Sequence, residues 1–156
     1  MTTAARIAKL FRDVHFGGNW TAVNLKDTLE DVDWTMAITR VHSFNTIATL
    51  VYHMNYYIHA ITAVLEDEPL TAKDKYSFDH PPILSQLDWE EFLHKIWSDA
   101  EGFADRVGRL PDEIMDKVFV NEKYGSYYRN LHGIIEHTHY HLGQIILIKK
   151  ILREKT

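Results

Sequence analysis

Residues 131–148 read LHGIIEHTHYHLGQIILI, and the phase of the histidines in this run decides how the chain folds. At about 100° per residue, His137 and His141 lie only about 40° apart on a helix, one turn above the other. On the same wheel Leu131, Ile134, Ile145, Ile148 and Leu152 all fall within about 80° of His141. The two imidazoles therefore share the apolar stripe. His139 lies about 160° from His141, and His132 also falls outside the stripe, so both are expected to face solvent. One metal ion can reach the inward pair.

Outward from this run, the rest of the chain also reads as helices. A segment from about Ala4 to Phe16 stops at Gly17-Gly18, and Trp20 follows the break. A second helical piece is expected from about Thr21, carrying Val23, Leu25, Leu29 and Val32, with Asp33 capping a short Trp34 to Arg40 segment. A long helix from about Asn45 to Leu65 has Ser43 and Asn45 as capping candidates and is apolar around most of its circumference, leaving a polar strip of Asn55, His59 and Thr62. A long connection, Glu66 to Asp88, contains Pro69, Pro81 and Pro82 and is read as a crossover or lid that brings Tyr76 and Phe78 over a site. After Asp88, Trp89, Phe92, Leu93, Ile96, Ala100, Phe103, Val107 and Leu110 keep a helical period up to Pro111. A short helical turn over Asp112 to Val118 leads to the final helix, about Ser126 to Arg153. Four main helices, no alternating strand and one long connection predict an all-α four-helix bundle with a long crossover, formed by residues 1–156 as a single domain.

Composition narrows the function classes. The chain has 156 residues, 46% of them hydrophobic, a formal charge of −5 and no cysteine. That length buries a core without disulfides. The negative charge and the lack of any basic cluster longer than Lys149-Lys150 argue against a nucleic-acid partner. Residues 1–10 offer no apolar core of a secretion signal, so a cytoplasmic location is the default expectation. Ser43 to Leu65 lacks Asp, Glu, Lys and Arg over a membrane-spanning length, but Asn45, His53, Asn55 and His59 would all need partners in lipid, so a membrane role is not expected.

His53 is the best third partner for the inward pair, because it aligns with Thr46, Leu50, Tyr57, Ala60 and Val64, whereas His59 falls in the polar strip. Three neutral imidazoles from two helices form the open coordination of a reactive metal. The residues alone leave a second reading open, in which these histidines are hydrogen-bonded core residues. Other metal patterns fail: His-Glu-x-x-His is absent. The Glu91-x-x-His94 and Glu136-x-x-His139 pairs match di-iron spacing but project away from the apolar stripes, so all four residues are read as a solvated face. Tyr57, one turn after His53, is a candidate pocket wall, and Trp20 is the tryptophan expected at a pocket.

The run Leu50-Val51-Tyr52-His53-Met54, the Gly18-Asn19-Trp20 element and above all His137-Thr138-His139-Tyr140-His141-Leu142-Gly143-Gln144-Ile145 resemble the DinB/YfiT-like superfamily over nearly the whole chain. The resemblance implies a four-helix bundle, commonly a homodimer, with a divalent metal on His53, His137 and His141. It also implies an enzyme acting on a small molecule. Most specifically it points to transfer of a low-molecular-weight thiol such as bacillithiol or mycothiol to an electrophile; three imidazoles suit zinc, nickel, iron or copper, with zinc or nickel the expected ion. The alternatives it carries are a metal-dependent hydrolase, for which the sequence offers no general base, and a non-enzymatic metal-binding or dimerisation role.

Overall fold

The computed structural model describes residues 1–154, and among these the protein is all-helical, with a single isolated bridge between Val118 and Ser126 in place of any strand. Six α-helices follow one another: α1 (Thr3–Phe16), α2 (Leu25–Leu29), α3 (Trp34–Ile38), α4 (Ile47–Leu65), α5 (Gln86–Gly108) and α6 (Tyr127–Glu154). No helix among the described residues is long and apolar enough to cross a membrane.

Side-chain caps set most of the helix starts. Thr2, Asn24, Asp33, Thr46 and Ser85 each accept a hydrogen bond from a backbone N–H in the first turn of the helix that follows. The Asp33 cap lies where the sequence places it. Three other starts differ from expectation. Helix α4 is capped by Thr46 and not by Ser43 or Asn45, and α5 by Ser85, three residues before Asp88. Residues from Thr21 to Asn24 stay outside α2, because Asn19 Nδ2 holds the Val23 carbonyl at 2.7 Å and Asn24 then caps the helix. Gly17 and Gly18, with φ of 111° and 101°, take the left-handed backbone that ends α1.

The long helices pack in a register that residue pairs define. Arg12 meets Glu101 and Asp105, Phe11 meets Phe103 and Phe16 meets Trp97, so α1 and α5 run in opposite directions. Asn55 and His59 meet Asp99, and Glu66 meets Arg106, so α4 and α5 run in the same direction, joined by residues 66–85. Helices α4 and α6 run opposite, with His53 against His137 and Ile61 close to Asn130 and Ile134. Buried side chains from all four, including Phe11, Met54, Phe103, Leu131 and Ile145, form one continuous core.

The polar strip of α4 does not face water as a whole. Asn55 is buried, and its Nδ2, His59 Nε2 and Lys95 Nζ all donate to Asp99 Oδ2 at 2.8 Å. A single carboxylate from α5 thus collects Asn55 and His59, while Thr62 donates to the Ile58 carbonyl of its own helix. Elsewhere the buried indole of Trp89 donates to the Val32 carbonyl at 2.8 Å, and Asp112 accepts from the free N–H groups of Thr3 and Ala4 at the start of α1.

His15 is the most deeply buried titratable group described in α1. Its Nδ1 donates to the Phe11 carbonyl at 2.9 Å, and burial pushes its pKa down to about 4 from 6.5. The folded protein keeps this ring neutral while the unfolded chain takes up a proton below pH 6.5, so the associated stability is present above that pH and is lost as pH falls toward 4. In EDTA, the urea midpoint is expected to fall between pH 7 and pH 5, and His15→Leu to shrink that fall; an unchanged pH dependence in the variant would contradict the assignment.

Candidate metal centre

Three histidines brought together by α4 and α6 form the site. His53 on α4 and His141 on α6 are 6% and 8% exposed, and His137 is half-buried between them. His137 Nε2 lies 3.1 Å from His53 Nε2 and 3.1 Å from His141 Nε2, and the three candidate ligand atoms all lie within 4.8 Å of one another. With metal–nitrogen bonds of about 2.0–2.1 Å, two imidazole ligands stand about 2.9 Å apart in cis octahedral geometry and about 3.4 Å apart in tetrahedral geometry. The two separations from His137 fall between these values.

Hydrogen bonding on the far side of each ring fixes which nitrogen faces inward. Ser77 Oγ donates to the Asp74 carbonyl at 2.7 Å and therefore accepts from His53 Nδ1 at 2.8 Å. Gln144 Oε1 is acceptor-only and lies 2.7 Å from His141 Nδ1, which must donate to it. Both rings then turn a bare Nε2 lone pair toward His137. One proton on His137 Nε2 cannot point along both contacts, whereas one cation at the common focus satisfies three lone pairs at once. His137 Nδ1 is buried with no partner among the described residues.

The electrostatics favour neutral rings. Burial lowers the pKa of His137 to about 4, with the neighbouring His141 and His53 adding to the shift, and burial is also the first cause of the lowered values of His53 and His141. Neutral imidazole is the form that ligates a metal.

The connection between α4 and α5 is strapped over this centre. Tyr56 Oη accepts from the Lys73 N–H at 2.8 Å and donates to the Lys73 carbonyl at 3.0 Å, while Tyr57 Oη donates to Asp74 at 2.5 Å. That pinning buries Ser77 under His53 and stacks Phe78 on the His53 ring at 4.2 Å and 11°. The Tyr57 phenol, desolvated and bonded to Asp74, has its pKa pushed up to about 12, and the same bond holds the Asp74 carboxyl below its ordinary range.

A cavity of about 440 Å³ opens beside the centre, lined by His53, Tyr57 and Ile61 of α4, Asp74, and Arg129, Gly133 and His137 among the α6 residues. Tyr57 is therefore a wall of it, as its helical phase predicts. Trp20 is not: the Gly17-Gly18 break turns it outward, 99% exposed, and it does not line this cavity. Tyr76 is exposed and outside the lining, so of the two aromatic residues expected over the opening only Phe78 covers the centre. Among the residues read as a solvated face, Glu91 and His94 are exposed, Glu136 is exposed at the cavity edge and His139 is half-buried. His132, expected in solvent, is also half-buried, 3.6 Å from Glu136. Sequence reasoning missed Ser77, Asp74 and Arg129, and it left Gln144 without a role. Comparison with protein-family models, with curated proteins and with solved structures finds no match to this chain.

Removal of any of the three imidazoles, His53→Ala, His137→Ala or His141→Ala, is expected to abolish zinc binding by calorimetry on tag-free protein, while His139→Ala retains it. Ser77→Ala and Gln144→Leu each remove an orienting acceptor and are expected to weaken binding about 10- to 100-fold. Because the lowered pKa values leave the rings unprotonated, zinc uptake at pH 7 is expected to release less than one proton, measured by calorimetry in buffers of differing ionisation enthalpy.

Proposed function

We propose that this chain is a DinB-like four-helix bundle, with residues 66–85 as its crossover, that holds a divalent cation on His53, His137 and His141 and transfers a low-molecular-weight thiol to a small electrophile. The observation that carries the reading is the convergence of three Nε2 atoms, two of them oriented by acceptors behind the ring, at the wall of a cavity large enough for a small molecule. Zinc and nickel both suit three imidazoles with further positions left for exogenous ligands. When bound, such a cation supplies Lewis acidity that keeps a thiol ionised at neutral pH.

The chain's own groups divide the remaining work. Ser77 and Gln144 hold the imidazoles in one tautomer. Phe78 shields one face of His53 from water. Asp74, kept ionised by the Tyr57 hydroxyl, is a fixed negative charge that offsets a cation and is a poor base for the same reason. Glu136 at the cavity edge is the open carboxylate suited to accept the proton that a thiol gives up. That same carboxylate favours the second reading, a metal-dependent hydrolase, since it provides the general base that such chemistry requires. Assembly as a homodimer and residence in the cytoplasm complete the proposal.

Metal-loaded protein incubated with monochlorobimane is expected to show turnover that requires an added thiol, screened across cysteine, glutathione and bacillithiol, and to lose at least about 100-fold in rate in His141→Ala. Turnover of ester substrates without thiol would replace this reading with the hydrolase. Metal binding with neither activity would leave a non-enzymatic metal-binding protein.

A further inference from the structure

The cavity beside the histidines is a trough with direction. Helices α4 and α6 run opposite along its two walls, and the lining residues recur at helical spacing on each: His53, Tyr57 and Ile61 on α4, and His137, Gly133 and Arg129 on α6. The walls therefore form successive rungs, His53 with His137, Tyr57 with Gly133, and Ile61 with Arg129. Arg129 and His137 are separated by eight residues, so their backbones stand about 12 Å apart along the helix.

The middle rung is open because of one residue. A Cβ on Gly133 would meet no atom within 4 Å, so the floor there is vacant space and not a packing contact. Any larger residue at this place, one turn from His137 on the same face, would fill the trough.

Among the described residues, the far rung carries the one Arg or Lys of the lining. Arg129 Nη1 donates to the Tyr124 carbonyl at 2.9 Å, which holds the guanidinium in place, yet among the described residues Arg129 pairs with no carboxylate. Six other Arg and Lys side chains, Lys9, Arg12, Lys95, Arg106, Lys149 and Arg153, do pair with acids. The acids of the trough lie at its other end: Asp74 is bonded to Tyr57, and Glu136 adjoins His137. Negative charge thus sits beside the histidines, where a divalent cation offsets it, and an unneutralised fork of donors waits two turns away.

We infer that this trough binds an elongated anionic ligand, with its carboxylate on the Arg129 guanidinium, its chain over Gly133 and its metal-seeking end at the three histidines. The inference rests on the metal-centre reading and narrows it: the thiol cosubstrate is an acid with a spacer of several bonds between sulfur and carboxylate.

The test uses the full chain loaded with cobalt(II), whose sulfur-to-metal charge-transfer band reports thiol binding without turnover. Titration with 6-mercaptohexanoate is expected to give an affinity at least about tenfold tighter than with the neutral 6-mercaptohexanol, the discrimination a charge-assisted bidentate contact provides. Arg129→Gln should erase that preference and leave 6-mercaptohexanol unchanged. Gly133→Leu should weaken both long thiols while 2-mercaptoethanol binds as before, which also shows that the variant is folded. Equal affinities for the two long thiols in the wild type, or a preference that survives Arg129→Gln, overturns the inference. Cobalt d–d bands without any charge-transfer band from any thiol would sink the thiol reading alone. In that event calorimetry with adipate decides the trough: heat lost in Arg129→Gln supports it, and no heat in the wild type overturns it.

Discussion

Three imidazole nitrogens face one another across the seam of α4 and α6, and that confrontation constrains everything around it. Buried rings so close to each other cannot share the seam as cations, so their pKa values fall and all three remain neutral. Neutrality in turn requires that each ring be told which nitrogen to protonate. Ser77 and Gln144 do this for His53 and His141, and the lone pairs they force inward create the focus where a cation belongs. A cluster of this kind without its orienting acceptors would be a set of frustrated hydrogen bonds; with them it is a set of donors that could hold one ion.

Helix α4 reconciles two polar demands on opposite sides of an otherwise apolar rod. One face carries His53 and Tyr57 toward α6 and the connection, and another carries Asn55 and His59 onto Asp99 of α5. Burying Asn55 is offset on one side only: its Nδ2 is bonded to a carboxylate that also collects Lys95, while its Oδ1 is buried without a partner among the described residues. The two faces fix both the rotation and the axial position of α4. A slip of one residue would break the Asp99 cluster and swing His53 away from its partners, so the structural bond network on one side holds the candidate site on the other in register.

Helical phase made the three histidines legible. His137 and His141 share an apolar stripe that excludes His139, and the same arithmetic picks His53 over His59. The periodicity of a buried rod is written in every turn, so a side chain that breaks its chemistry but not its phase stands out. What phase could not supply came from segments without a period. Ser77 and Asp74 lie in the connection, where contact depends on tertiary pinning by Tyr56 and Tyr57, and nothing local distinguishes them beyond an Asp-x-x-Ser spacing suited to a tight turn. Partners on another element are equally invisible to phase. Asn55 is polar yet buried because its partner Asp99 sits on another helix, and Trp20 leaves the pocket because a Gly-Gly break fixes a bend but not the direction in which the next side chain leaves it. Arg129 carried no signal at all, since one basic residue at the start of a helix is commonplace until a trough is seen to end on it.

The clasp that Tyr56 makes on Lys73 grips only the peptide group, taking the amide proton and giving its own to the carbonyl. It is therefore blind to the side chain at that place. Position 73 is free to drift through mutation among nearly all amino acids, proline excepted because it has no N–H to offer. Position 56 has no such latitude, since even phenylalanine, which keeps the ring, would surrender both bonds. At this clasp the helix side of the fastening thus falls on a single hydroxyl, and variation among descendants of this chain is expected to be lopsided across it, wide on the strap and narrow on the helix that holds it.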